Sequence, residues 1–157
     1  MAELKQFKSL VDLKKIVSEL NAFRARSVPR GNHPTLYQEK VDGKYRTVMG
    51  VRVCDYKFSA DEKWVMPDSQ MGLSFSATWS NLKFVYGMFA KGTKPVDVHW
   101  ILSEADLPHG LMFVEDNDNA GHYFLTVTEM MLVEQLVTKL TLVSYRLTVI
   151  RDASKVL

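Results

Sequence analysis

Residues 73–80 alternate without a break, with Leu73, Phe75, Ala77 and Trp79 on one side and Ser74, Ser76, Thr78 and Ser80 on the other. Successive side chains of a strand point to opposite sides of a sheet, so this pattern predicts an extended strand with one apolar face and one face of small hydroxyls. A strand of that kind suits an antiparallel sheet buried on one side only. Other segments agree. Thr35–Val41 and Lys44–Phe58 read as strands flanking Asp42-Gly43, a tight-hairpin dipeptide. Val96–Leu102 reads as a strand, Leu111–Glu115 and His122–Val127 as a hairpin across residues 116–121, and Val143, Tyr145, Leu147 and Val149 as a last strand.

Helical spacing is scarcer. Leu4, Phe7, Leu10, Val11, Val17, Leu20 and Phe23 predict an amphipathic helix over about 3–23, ended by the prolines of Ser27-Val-Pro-Arg-Gly-Asn-His-Pro. Leu82, Val85, Tyr86 and Phe89 predict a helix over about 81–90, capped by Ser80 or Asn81 and stopped near Gly92. A third is expected from Thr128 or Glu129 to about Leu140. Strands that come in pairs with few helices between them predict an α+β fold with mostly antiparallel sheets. No repeat or linker divides the chain, so 1–157 reads as a single domain.

Composition narrows the setting. Apolar residues make up 46% and charged residues 24%, enough for a core without disulfides or metal staples. The lone Cys54 has no internal disulfide partner, which suits a reducing compartment. No run of 18 apolar residues predicts a membrane span. The opening Met-Ala-Glu-Leu-Lys-Gln-Phe-Lys is charged and lacks the apolar core of a secretion signal. The expected place of action is a cytoplasm, reached after any export without a cleavable signal. Residues 1–60 carry a balance of +6 and residues 61–157 one of −4. This is a charge split rather than the basic stripe of a nucleic-acid binder, though nucleic acid is not excluded as a target.

Three features point to chemistry. Small hydroxyls at Ser74, Ser76 and Thr78 leave room for a ligand and can both donate and accept hydrogen bonds. His122 opens a strand and can bind a ligand or move a proton. Glu129 stands near a strand-to-helix junction, where a carboxylate either favours the helix N-terminus or supports a developing positive charge. Asp116-Asn-Asp-Asn-Ala-Gly begins like a calcium loop, but Val127 stands where the bidentate glutamate is needed. Spacing links no His and Cys into a zinc site, and there is no nucleophile elbow, phosphate-binding glycine loop or dinucleotide fingerprint.

Met66-Pro-Asp-Ser-Gln-Met-Gly-Leu-Ser-Phe, then Ala105-Asp-Leu-Pro-His-Gly-Leu, then His122-Tyr-Phe-Leu-Thr-Val-Thr-Glu resemble, in order and approximate spacing, a known family. It is that of the ADP-ribosyltransferase-like toxins which bacteria inject into rivals by type VI secretion. Thr35-Leu-Tyr resembles the family's first strand. The matched motifs cover about a third of the chain. The resemblance implies NAD as cofactor, a cytoplasmic macromolecule of the target cell as acceptor and a cognate immunity protein as partner. It implies catalytic roles for Ser74 and His122, with Glu129 as the stabilising carboxylate. It also implies a cofactor site that includes Tyr37, Gln38, Gly72, Ser76 and Thr78. Gln38 stands where the family has an arginine, and Arg24 is the other candidate for that role. Of the Gln/Glu-x-Glu element of better-known transferases, Val127-Thr128-Glu129 keeps only the last member. An NAD-hydrolysing enzyme with the same cleft is a second expectation. A non-enzymatic binding module, such as an effector adaptor or immunity-type protein, is a third.

Overall fold

The computed structural model describes residues 5–155. In chain order its elements are β1 (Lys5–Phe7), α1 (Leu10–Ser18), β2 (Phe23–Pro29), β3 (Thr47–Val48), β4 (Val51–Arg52), β5 (Lys57–Phe58), β6 (Trp64–Met66), β7 (Leu73–Ser76), α2 (Trp79–Phe89), β8 (Val96–Leu102), β9 (Leu111–Glu115), β10 (His122–Val127), β11 (Met131–Leu132), α3 (Val133–Arg146) and β12 (Thr148–Asp152). The chain is α+β with mostly antiparallel strands. The main sheet has seven strands in the order β1-β12-β8-β2-β7-β10-β9, and β11-β6-β5 and β3-β4 form two small sheets. No described helix is long and apolar enough to cross a membrane.

Each face of the main sheet buries an apolar layer. Phe23, Ala25, Val96, Val98 and Ile150 pack against Leu13 and Val17 of α1 and Leu82 and Tyr86 of α2. On the other face Leu73, Phe75, Ile101, Leu111 and Leu125 pack against Leu136, Leu140 and Val143 of α3 and against Tyr56 and Val65. Each fully buried side chain of this kind contributes about 1.5–3 kcal/mol.

The element boundaries differ from the sequence expectations for identifiable reasons. The helix expected over 3–23 is three elements, with residues 3 and 4 outside the described residues. Phe7 is in a strand, and Ser9 caps α1 by accepting the Asp12 N–H. The chain then turns at Ala22, with φ +56°, and Phe23 enters β2. Asp42-Gly43 does form a turn, with Gly43 at φ +79° and its carbonyl accepting the Arg46 N–H. The expected strand over 35–41 does not form before it, and the strand that follows, β3, pairs instead with β4 around Met49-Gly50. β7 stops at Ser76 because the Thr78 hydroxyl accepts the Asn81 N–H and starts α2 at Trp79. α3 begins later than expected and continues to Arg146, since Leu136, Leu140, Val143 and Leu147 also repeat at helical spacing.

One junction shapes the rest. β2 pairs with β8 continuously from Phe23↔Leu102 to Pro29↔Val96, but with β7 through the single pair Ala25↔Ser76. Beyond that pair the two strands separate, and the sheet behaves as two half-sheets joined at one point. The Arg26 guanidinium fills part of the gap. Its Nη1 donates to the Ser74 carbonyl at 2.7 Å, its Nε to the Pro34 carbonyl at 2.8 Å and its Nη2 to the Tyr37 hydroxyl at 3.2 Å.

Candidate functional site: a groove at the sheet split

A cavity of about 880 Å³ opens where β2 leaves β7, with Arg26, Ser27, His33, Tyr37, Gln38 and Arg52 among its lining residues. Volumes of this size are typical of small-molecule sites. Residues 30–52 form one wall, held by a few hydrogen bonds. His33 Nδ1 accepts the N–H groups of Thr35 and Leu36 at 3.2 and 3.1 Å. The Thr35 hydroxyl donates to the Leu140 carbonyl at 2.9 Å, pinning the turn to α3. The Tyr37 N–H donates to the Gly50 carbonyl at 2.8 Å. Because Nδ1 accepts, the His33 proton sits on Nε2, and burial pushes the ring's pKa down, which favours this neutral form.

The wall is rich in cations and rings. The Arg52 guanidinium lies 3.6 Å from the Tyr37 ring centroid and 4.7 Å from that of Tyr45. Lys40 and Lys44 approach Tyr45 at 5.8 and 5.5 Å. Among the described residues none of these three cations is in an ion pair. Asp55 lies close enough to Arg26 and Arg52 for both to pull its pKa down, although burial, the larger effect, raises it. The other side of the groove is apolar, with Val28 and Pro29 of β2 and Met88 and Phe89 at the end of α2. On this side Ser27 is 7% exposed, and its Oγ has no hydrogen-bond partner among the described residues.

The structure separates the residues singled out in the sequence. Tyr37 and Gln38 line the groove. Ser74 is exposed and stands across the gap from Ser27, since both lie two positions beyond the Ala25↔Ser76 pair on the same sheet face. His122 faces Ser76 from β10, one step along that face from Ser74, which faces Phe124. Its Nδ1 is 2.9 Å from Asp116 Oδ2, and an amide hydrogen bond from Asp118, with that of His122 in support, holds the Asp116 carboxyl below the usual range. Ser76 and Thr78 are committed to the fold: Ser76 donates to Asn81 Oδ1 at 2.6 Å, and Thr78 caps α2. Gly72, at φ +154°, lets the chain pass Leu125, where a Cβ would come 2.3 Å from the carbonyl oxygen.

Glu129 is not brought to the groove. It lies past the far end of β10 and pairs with His109 Nε2 at 3.1 Å on the surface, whereas His122 opens the strand. A strand advances about 3.3 Å per residue, which already puts Val127 roughly 16 Å from His122. Arg24 lies outside the groove lining, with its guanidinium stacked at 3.9 Å over Tyr123 and its Nε buried without a partner among the described residues. Burial pushes its pKa down, and Tyr123 and Glu115 oppose the shift.

Arg26, Ser27, Arg52 and Tyr45 are groove residues that the sequence patterns do not single out. Phe23-Arg-Ala-Arg-Ser alternates as a strand does, but the helical spacing upstream runs on to Phe23 and masks that signal. Comparison with known protein families, with curated proteins and with solved structures gives no match.

Proposed function

We propose that the protein is an NAD-consuming enzyme of the ADP-ribosyltransferase-like kind, acting as an antibacterial toxin in the cytoplasm of the target cell. The observation that carries this reading is the placement of Tyr37 and Gln38, together with Arg26, on an 880 Å³ groove opened by the separation of β2 from β7. The residues present fit NAD. The groove offers cations for phosphates and aromatic and apolar walls for rings. NAD supplies an activated glycosidic bond whose cleavage passes through a cation at the ribose.

The chain's part is to bind and orient. Tyr37 and Gln38 hold polar groups of the ligand, while Arg26 fixes the Tyr37 hydroxyl and the Ser74 carbonyl on the two sides of the gap. Ser74 is exposed and lies across the strand gap from Ser27, although it is not among the residues that line the groove. His122, oriented by Asp116, stands one position along that face. Orientation of this sort is a large part of what a binding cleft contributes to a bond-breaking step.

A non-enzymatic binding module is the second reading. Phe84 and Met88, at 68% and 52% exposure on one side of α2, favour it as a patch for a protein partner. Release of nicotinamide from NAD by the purified protein separates the two. The first reading expects release, reduced at least tenfold in Gln38→Ala and in the Ser74→Ala/His122→Ala double variant with folding intact. A wild-type protein that neither binds nor cleaves NAD sinks it. Wild-type toxicity in bacteria from the double variant sinks the roles of Ser74 and His122.

A further inference from the structure

We infer that His33 is an acid-operated clip on the groove wall: a proton taken up at its Nδ1 undoes the turn over residues 33–37 and loosens the wall that this turn carries. The inference concerns the wall itself and stands whichever ligand the groove takes.

His33 Nδ1 accepts two backbone N–H groups, that of Thr35 at 3.2 Å and that of Leu36 at 3.1 Å. A neutral imidazole offers one acceptor nitrogen, and a proton on it turns the acceptor into a donor. Both amides would then face the N–H of an imidazolium. The other group bonded to Nδ1 among the described residues is the Thr35 hydroxyl, 3.4 Å away and already donating to the Leu140 carbonyl. One long bond to that oxygen does not replace two amide bonds. The ring is exposed, so a proton reaches it without prior unfolding.

The turn carries bonds that tie the wall to the body of the molecule. Pro34 and Tyr37 present a carbonyl and a hydroxyl to Arg26, and Thr35, 1% exposed, reaches the Leu140 carbonyl at 2.9 Å. Leu36 and Tyr37 pack against the core from the same turn. His33, Leu36 and Tyr37 also line the groove, so a turn that opens changes the groove's shape.

The charges around the turn discourage a further cation. Arg26 of β2 bonds the Pro34 carbonyl, and His99 of β8 stands opposite Arg26 in the ladder and feels the charge of His33. Arg52 and Lys40 share the groove lining with His33. Arg30 is spent on Asp97 and the Asp152 carbonyl, and Asp55 acts on Arg26 and Arg52. α3 presents the Leu140 carbonyl, and α2 presents Met88 and Phe89. Burial pushes the His33 pKa down in the closed turn. An opened turn returns the ring to about 6.5, so the clip is complete above that value and weakens as pH falls below it. With no proton taken up in the closed form, opening gains about 30-fold between pH 7.5 and pH 5.0.

The test is amide hydrogen exchange of the full chain, read by NMR as protection factors at pH 7.5 and pH 5.0. In wild type the protection of the Thr35 and Leu36 amides is expected to fall by between about fivefold and 30-fold at pH 5.0, while β8 and β12 keep theirs. In His33→Asn the side-chain oxygen takes the place of Nδ1 and does not titrate, so protection is expected to be equal at the two pH values. A merely structural histidine would show no such rescue. Should Asn not hold the turn, wild type decides alone: the loss of protection must follow the ring resonances of His33 with one midpoint. Unchanged wild-type protection at pH 5.0, an equal loss in a His33→Asn variant that holds the turn at pH 7.5, or a loss that follows the His99 ring overturns the assignment.

Discussion

Ser76 and Ser74 sit two positions apart on one strand, yet their hydroxyls have different prospects. Ser76 is buried and donates to Asn81, and Thr78 spends its oxygen on the first turn of α2, so neither is free for a ligand. Thr78→Ala is expected to cost about 1 kcal/mol as a lost cap. Ser76→Ala is expected to cost about 1–2 kcal/mol, because Asn81 Oδ1 is left buried and unpaired. Both should leave NAD affinity unchanged, and denaturant unfolding beside calorimetry checks the pair. Reduced affinity in either stable variant would return that hydroxyl to the ligand. Gly72 is stricter still. Its φ is +154°, and any Cβ at this position would lie 2.3 Å from the Leu125 carbonyl oxygen, which leaves no room for a side chain. Gly72→Ala is expected to lose about 3 kcal/mol or more, as strain plus a displaced β10. An unfolding midpoint equal to wild type would mean that β7 and β10 slide apart at little cost.

The junction of β2 with β7 determines how the elements meet, and its weak point is a single side chain. Arg26 bonds three groups that the backbone ladder leaves apart: the Ser74 carbonyl, the Pro34 carbonyl and the Tyr37 hydroxyl. Arg26→Met keeps the length of the stem and removes all three bonds. It is expected to raise hydrogen exchange in residues 33–37 while β8 and β12 stay protected, because those strands keep their own ladders. Uniformly raised exchange would instead make Arg26 a support of the whole sheet. The sequence carries strands such as Val96–Leu102 and the β9–β10 hairpin because they are short runs of strand-forming residues bounded by turns, a signal that survives even where both faces of the sheet are covered. Residues 3–23 mislead because helical spacing from Leu10 to Leu20 overlaps strand residues on both sides. The groove is legible only at Tyr37 and Gln38. Ser27 becomes unusual only once β7 turns away from it, and neither its burial nor the stacking of Arg52 has a signature in local spacing.

At the scale of the molecule, the half-sheet that carries β2 is tied to β12 by a charged cluster. Arg30 Nη2 and Nε donate to the Asp97 carboxylate at 2.8 and 3.1 Å, and Nη2 also donates to the Asp152 carbonyl at 2.9 Å. Asp97 accepts the Asp152 N–H, and Asp152 accepts the Val96 N–H and the Tyr86 hydroxyl. Burial works against the ionised form of both carboxyls. The hydrogen bonds from Arg30 to Asp97, and from Ser154, Val96 and Tyr86 to Asp152, outweigh it and hold both below the usual carboxylate range. A carboxyl that is more acidic when folded contributes stability that is complete above its unfolded value, about 3.9, and is lost as pH falls through its folded one. Wild-type stability should therefore hold from neutral pH to about 4 as far as this cluster is concerned, and fall below that. Arg30→Met leaves Asp97 buried without its cation and is expected to cost about 2–3 kcal/mol at pH 7. The gap between variant and wild type should narrow towards pH 3, where the Asp97 carboxyl takes up a proton and no longer needs the cation. Arg46→Met is the control, because its partner Glu62 lies at the surface and little stability should be lost at either pH. Urea unfolding of the three proteins at pH 7 and pH 3 decides the matter. If the Arg30→Met deficit is as large in acid as at neutral pH, the side chain matters for its packing and its bond to the Asp152 carbonyl, and the carboxylates are not what ties β2, β8 and β12 together.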